Sequence, residues 1–345
     1  MPTIRDVARL AGVSTATVSA TLSGTAFVSE ALQARVREAV ETLGYSPHGI
    51  ARSLKRGSSR LLGLIIPDVT NPFFTELVHA VEELARADGY AMLLCDTGFD
   101  LGREREMLAL MRMQRVDGIV LCPAGGEADY AGAFAIGRGT PIVLADSAPP
   151  GAAVDAVVID NHGAAFAATS HLLDCGHVLI ATVAGPERGL PGLERERGFA
   201  AALAARGLAP EPAYIVHGDF SEEGGASAVA ALIGLEPRPT ALFVANNQML
   251  VGVMRCLHEA GLSVPSDISV AAIDDFPWAS AFRPALTTVR QPIGDLAAHA
   301  VRLLVARIAG DQKEPQRIEL PATLVLRESV AEHPGIAGVP PAASA

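Results

Sequence analysis

Apolar residues recur at two different spacings along this chain. Over the first sixty positions they return every three to four residues; beyond, they gather in short unbroken runs divided by longer amphipathic stretches. Ile4, Val7, Ala8 and Ala11 stand at i, i+3, i+4 and i+7, the face of a helix, with Thr3 as its N-cap and Gly12 as its break. Ser14 can cap a second helix, from which Val18 and Leu22 face a core, until Ser23-Gly24 interrupts it. Ser29 can cap a third, whose face is Leu32, Val36, Ala39, Val40 and Leu43 and whose stop is Gly44. Three short helices with a glycine-bearing turn between the first two predict a helix-turn-helix. A three-helix bundle with no role on DNA has the same spacing.

After Arg60 the runs LLGLII, AMLLC, GIVLC, PIVLA, VLIATVAG, ALFVA and SVAAI read as strands buried on both faces. Stretches such as 73–88, 102–115, 163–175, 194–206, 222–234 and 248–260 read as helices between them. This alternation predicts a doubly wound α/β fold with parallel sheets, and about 270 residues suit two similar lobes. Ligands of such sheets sit beyond the C-terminal strand ends. The first run leads to Asp68, Asn71, Phe73 and Phe74; PIVLA leads to Asp146 and Ser147; VLIATVAG leads, by a loop, to Arg195. YIVHG leads to Asp219 and Phe220, ALFVA to Asn246 and Asn247, and SVAAI to Asp274, Asp275 and Trp278. Carboxylates, amides and one arginine beside aromatic rings suit a sugar, whose hydroxyls pair with the polar groups and whose C–H faces lie on the rings. Phe73 and Phe74 are equally readable as core packing, Trp278 as a loop or interface aromatic, and Asp68 as a helix cap.

Composition narrows the function. The 345 residues carry a formal charge of −11, and half are apolar. The first sixty hold eight basic and four acidic residues, whereas the rest hold 19 and 34. A basic head on an acidic body suits a polyanionic partner. Cys95, Cys122, Cys175 and Cys256 lie far apart in apolar surroundings, which excludes a disulfide scaffold and suggests small core hydrophobes. No metal-ligand spacing occurs, so neither a metal nor another cofactor is expected. No apolar run is long enough to span a membrane, and the N-terminus has charges where a secretory signal needs an apolar stretch. These features predict a reduced, cytoplasmic protein without a membrane partner. Dinucleotide fingerprint, phosphate loop, nucleophile elbow and zinc-protease motif are all missing, which argues against an enzyme.

The segment TIRDVARLAGVSTATVSATLSG and its continuation VSEALQARVREAVETLGYSPHGIARSLKRGSSRLLGLIIPDVTNPFF resemble the lactose/galactose repressor (LacI/GalR) family of transcriptional regulators. The likeness runs from Thr3 to about Val330. It implies a helix-turn-helix domain over 1–46, a hinge over 47–60 and a two-lobed periplasmic-binding-protein-like core over 61–330; the Pro/Gly/Ala-rich composition of 331–345 predicts a disordered tail. Residues 14–22 correspond to the recognition helix of the major groove. Thr15, Ala16 and Ala20 fall at base-reading positions; Thr17, Ser19, Ser29 and Tyr45 are candidate phosphate donors. Ala20 departs from the long polar residue common there, so the family's usual half-site does not transfer. In the hinge, Leu54 corresponds to the leucine that wedges between base pairs in the minor groove, with Arg52 and Lys55 beside it. His48 and Gly49 replace the usual Asn-Ala, which predicts a hinge unfolded without DNA.

For the core, the resemblance implies lobe crossings near 159–163, 287–291 and 320–324. It implies ligand-facing roles for Phe73, Phe74, Asp146, Arg195 (in RERGF), Phe220, Asn246 and Asp274; Asp68, Asn71 and Trp278 are further strand-end candidates. Ser147 stands where Arg is common and Asn247 where Asp is common. His171 and His177 belong to the family's HLLDCGH segment and are expected to be structural. The implied protein is a homodimeric repressor on a palindromic double-stranded operator, switched by a small molecule, a sugar or its derivative, held between the lobes. The tail lacks the leucine heptads that make tetramers. A sugar-binding transport protein and a co-regulator that binds other repressors stay open as alternatives.

Overall fold

The computed structural model describes residues 2–23, 26–45, 58–125, 139–187 and 189–334. The chain divides into two compact units, Met1–Arg60 and Leu61–Ala345.

In the first unit, α1 (Ile4–Ala11), α2 (Thr15–Ser23) and α3 (Glu30–Leu43) follow the apolar spacing. The Asp6 carboxylate accepts from both the backbone N–H and the hydroxyl of Thr3, at 2.9 and 2.7 Å, fixing the start of α1. Gly12 ends α1 at φ 64°, a left-handed conformation that a side chain would strain. Ser14 Oγ accepts the Thr17 N–H at 3.1 Å and starts α2. Val7, Ala8, Ala11, Val18, Val36, Ala39 and Tyr45 make the core.

The second unit holds two six-stranded sheets. The first consists of β1 (Leu61–Ile66), β2 (Ala91–Asp96), β3 (Gly118–Leu121), β4 (Ile142–Asp146), β5 (Asp155–Ile159) and β11 (Arg317–Leu320), in the order β11-β5-β4-β3-β1-β2 and all parallel. The second consists of β6 (Ile180–Ala184), β7 (Ile215–His217), β8 (Ala241–Val244), β9 (Ser269–Ile273), β10 (Thr287–Arg290) and β12 (Thr323–Val325). Its order is β12-β10-β9-β8-β6-β7, with only β12 antiparallel among these strands. Strands β3, β4, β5, β6, β8 and β9 are buried along their whole length, as strands sandwiched between helices must be.

Helices α4 (Pro72–Ala87) and α5 (Leu101–Met113) belong to the first lobe; α6 (Asn161–Asp174), α7 (Leu190–Ala204), α8 (Glu222–Ile233) and α9 (Asn247–Glu259) belong to the second. The sixteen-residue α10 (Ile293–Ile308) returns to the first lobe, where Leu296, Ala300, Val301 and Leu304 pack with α4 and the sheet. Its amphipathic pattern and the short strands β5, β10, β11 and β12 were not among the runs singled out by hydropathy. The chain crosses between lobes at 160, at 291–292 and at 321–322; the first and third fall inside the expected windows and the second runs one residue past the end of its own.

Close helix packing places the site's arginine. Arg195, Gly198 and Phe199 share one face of α7. A Cβ at Gly198 would run into the His162 carbonyl of α6, so only glycine allows this approach. Phe199, fully buried, stacks on Phe243 with ring centroids 6.2 Å apart. Arg195 is thereby fixed at the N-terminal end of α7.

Candidate functional site

On the head, Thr15 and Ala16 at the start of α2 are exposed, as is Ser29, while Thr17, Ser19 and Ala20 are half-buried. Tyr45 is 8% exposed, and its ring is part of the head's core. Arg52, Leu54 and Lys55, the hinge candidates, lie outside the described residues, as do 46–57 generally and the tail from 335.

Between the lobes lies a cavity of about 510 Å³. Eight of the ten expected ligand-facing residues line it: Asn71, Phe73, Phe74, Asp146, Arg195, Phe220, Asn246 and Asp274. Two do not. Asp68 and Trp278 line a separate crevice. Asp68 Oδ1 accepts the Thr70 N–H and hydroxyl at 2.8 and 2.7 Å, and its Oδ2 accepts from Gln248 at 3.0 Å. Trp278 is 49% exposed and lies edge-on to Phe276. Both follow strand ends in the chain, but the local backbone turns them away from the cavity.

Four wall residues share an uncommon backbone. Phe99, Asp146, Phe220 and Asp274 have φ of 58°, 70°, 68° and 72°. At Asp146, the Ser147 N–H donates to the Ala145 carbonyl at 2.9 Å, closing a three-residue γ-turn. Non-glycine residues in this region cost roughly 1–3 kcal/mol each and cluster where geometry serves function. The turns set these side chains at the strand ends facing the cavity.

Arg195 is buried at 4% exposure. Its Nε donates to Asn161 Oδ1 at 2.7 Å, its Nη1 donates to the Ala245 carbonyl at 2.6 Å, and Nη1 lies 3.8 Å from Asp274 Oδ2. The guanidinium stands 5.8 Å from the centre of the Phe220 ring. Gln291 donates its amide to Asp274 Oδ1. Burial pushes the Asp274 carboxyl above its ordinary value, against the pull of Arg195, the Gln291 amide and the backbone N–H of Asn247. Burial likewise raises Asp146, to about 7, with Arg195 opposing and the negative charge of Asp274 adding to it. Asp146 Oδ1 and Gln291 Oε1 are buried acceptors with no hydrogen-bond partner among the described residues. Leaving such groups unpaired costs about 1–3 kcal/mol each, so a ligand bearing donors would be favoured there.

The remaining polar groups are already engaged. Asn246 Oδ1 caps α9 through the Met249 N–H at 2.9 Å, and its Nδ2 donates to the Phe220 carbonyl at 3.1 Å. It therefore positions Phe220 while lining the wall. Asn71 Oδ1 caps α4 through the Phe73 N–H at 2.9 Å. Phe73 and Phe74 meet edge to face at 4.9 Å and serve core and cavity at once. Gln291, Phe99 and the start of α5 also line the cavity and were not expected. Gln291 could have been found as the residue after the strand TTVR; Phe99 had no comparable signal. His177 joins Thr240 Oγ1 at 2.9 Å and the Ala331 carbonyl at 3.1 Å, a structural role. Among the described residues no cluster of His, Cys, Asp or Glu could hold a metal ion, and no helix is long and apolar enough to cross a membrane.

A helix-turn-helix unit joined to a two-lobed unit with a polar-aromatic cavity defines a ligand-responsive, DNA-binding regulator. Residues 3–48 match the model for bacterial regulatory proteins of the lacI family, and 169–330 match that for a periplasmic binding protein-like domain. The chain is 38% identical over 329 residues to the ribose operon repressor of Escherichia coli strain K12, covering 95% of this chain and 100% of the relative. It is 36% identical over 332 residues to the HTH-type transcriptional repressor PurR of Photobacterium profundum, covering 96% and 99%. Among solved structures, the lac repressor dimer bound to operator and the anti-inducer ONPF superposes with a TM-score of 0.84 at 27% identity, covering 96% and 99%. A LacI family regulator from Enterococcus faecium with bound ribose gives 0.71 at 29% identity, covering 79% and 99%. The chain belongs to the LacI family. It is a ligand-responsive DNA-binding transcriptional repressor and not an enzyme.

Proposed function

We propose that this repressor binds its operator as a homodimer and that its effector is a small uncharged sugar of the pentose class. The carrying observation is the charge of the cavity wall. Two buried carboxylates, Asp146 and Asp274, face a single buried guanidinium, Arg195. A phosphorylated or carboxylated ligand would bring further negative charge to a lining that, among the described residues, has four aspartates (Asp100, Asp146, Asp219 and Asp274) to one arginine. Hydroxyl groups instead supply the donors that Asp146 Oδ1 and Gln291 Oε1 lack. The E. coli relative's name and the ribose in the E. faecium structure support the same class.

On the DNA side, Thr15, Ala16 and Ala20 are the proposed base readers, with Thr17, Ser19 and Ser29 on phosphates and Arg52, Leu54 and Lys55 in the hinge. Segments 1–46, 47–60, 61–330 and 331–345 would act as reader, hinge, switch and tail, in the cytoplasm and at the nucleoid. Two-fold symmetry of a dimer maps onto a palindromic operator, as in the lac repressor dimer on its operator.

The test is calorimetric titration of the full-length protein with D-ribose, D-ribose 5-phosphate, cellobiose and hypoxanthine. Saturable binding of ribose with none of its phosphate supports the proposal. Preference for the phosphate, the disaccharide or the nucleobase overturns the effector assignment. Selection of operators from random duplex DNA, with and without the bound sugar, then gives the sign of the switch.

A further inference from the structure

We infer that Asn247 is a positioning residue that couples the effector cavity to closure of the two lobes. It is the first residue of α9, in the second lobe, and is 2% exposed. Its neighbour Asn246 lines the cavity, caps α9 through the Met249 N–H at 2.9 Å and donates to the Phe220 carbonyl at 3.1 Å, which ties the start of α9 to the second-lobe wall. The Asn247 side-chain Nδ2 crosses to the first lobe and donates to Asn71 Oδ1 at 3.0 Å. Asn71, itself 5% exposed, uses that same oxygen to accept the Phe73 N–H. A path of bonds therefore runs from Phe220 on one wall, through Asn246 and the adjoining Asn247, across to Asn71 and Phe73 on the other. The neighbouring residue adds a parallel link: Gln248 Nε2 donates to Asp68 Oδ2 at 3.0 Å and to Thr70 Oγ1 at 3.3 Å.

The chemistry of position 247 fits this role. Asn71 Oδ1 is committed as an acceptor because it caps α4, so its partner across the lobes must be a donor. An amide at 247 supplies one. A carboxylate there would set oxygen against oxygen, or force the Asn71 amide to flip and abandon its cap. Asp68, which failed to reach the cavity, and Asn247, where a common carboxylate has become an amide, thus belong to one contact between lobes. Any ligand that shifts Phe220 or Asn246 moves the start of α9 and with it both bridging bonds. Small displacements of that kind become lobe motions because packed interfaces switch between discrete arrangements.

The test measures the distance between lobes by double electron–electron resonance in the full-length protein. Spin labels go on Glu106→Cys in α5 and Ala231→Cys in α8, both exposed sites, with Cys95, Cys175 and Cys256 replaced by Ala. An excess of unlabelled protein leaves one labelled pair per assembly. Without any sugar, Asn247→Ala and Asn71→Ser should each lower the closed-to-open ratio by about fivefold, the scale of one neutral hydrogen bond. Serine preserves the cap of α4 but is too short to reach Asn247, which separates the bridge from helix stability. Asn247→Asp should open the lobes further than Asn247→Ala. The double variant Asn71→Ser, Asn247→Ala should open no more than either single one, because both remove the same bond. Unchanged distances in both single variants, or losses that multiply in the double variant, would overturn the coupling. The sugar-free distances do not depend on the effector's identity, so a failure of ribose to bind would leave this result standing on its own.

Discussion

The Arg195 guanidinium and the Asp274 carboxylate stand 3.8 Å apart, each side chain with 5% of its surface exposed. One cation thus faces two buried acids in a closed space, and ligand chemistry and protein stability are tied to the same charges.

Removing either partner should separate sensing from DNA binding. Asp274→Asn keeps the shape and removes the charge; hydrogen bonds to charged groups are worth about 1.5–3 kcal/mol, so effector affinity should fall by roughly 10- to 100-fold. Operator affinity without effector should stay at the wild-type level, as measured by fluorescence anisotropy. Arg195→Ala should also destabilise the core by about 3–5 kcal/mol, since it strands buried charge; urea unfolding measures this. An effector response that survives Asp274→Asn would remove that residue from the site.

Acidity should weaken the effector. The Asp146 carboxyl is raised from its ordinary 3.8 to about 7, chiefly by burial. The folded chain therefore holds an extra proton between these values, and stability contributed by this group falls as pH rises through that window. A ligand donating to the ionised carboxylate must displace that proton below pH 7, so its affinity should rise with pH and level off above. Calorimetry should give about tenfold weaker binding near pH 6 than near pH 8, since each unit below the pKa costs up to tenfold. Asp146→Asn should bind weakly with a flat profile. A wild-type profile that is flat, or that slopes the other way, would exclude this role.

Specific and non-specific DNA binding should respond to different parts of the head. Leu54→Ala, at the proposed wedge, should weaken operator binding far more than binding to random duplex, because only the specific complex needs an unstacked step. Thr15→Ala should relax discrimination at one base pair, on the order of 1–3 kcal/mol. Competition binding at fixed salt distinguishes the two, and equal losses on both DNAs for Leu54→Ala would rule out a wedge.

Arg307 should matter for stability and not for sensing. Its Nε and Nη2 pair with Asp155 at 2.6 and 3.0 Å, and Asp155 is 2% exposed. This clamp ties the end of α10 to β5. Arg307→Ala should cost about 3–5 kcal/mol because the buried carboxylate loses its partner. Thermal unfolding should register the loss while effector affinity measured well below the transition is retained.

Much of the cavity could be read from the chain because parallel strands place it. Asp146, Arg195, Phe220, Asn246 and Asp274 follow apolar runs or a family motif, and strand ends in such sheets face the ligand. Gln291 and Phe99 were missed: one sits at a lobe crossing and the other in the loop after β2, where hydropathy says little.

The order of apolar runs and helix caps was enough to predict a three-helix head and a doubly wound α/β body long enough for two lobes, because local periodicity dictates which face each element buries; the cleft between the lobes came with the family resemblance. Only the tertiary structure decided which strand-end side chains meet. Asp68 and Asp146 both follow first-lobe strands, yet the left-handed turn at Asp146 aims it inward while Asp68 closes on Thr70 and Gln248. The partner of Asn247 likewise lies 176 positions away in the chain. Such pairings depend on how two separately folded sheets come together, and no local pattern encodes that.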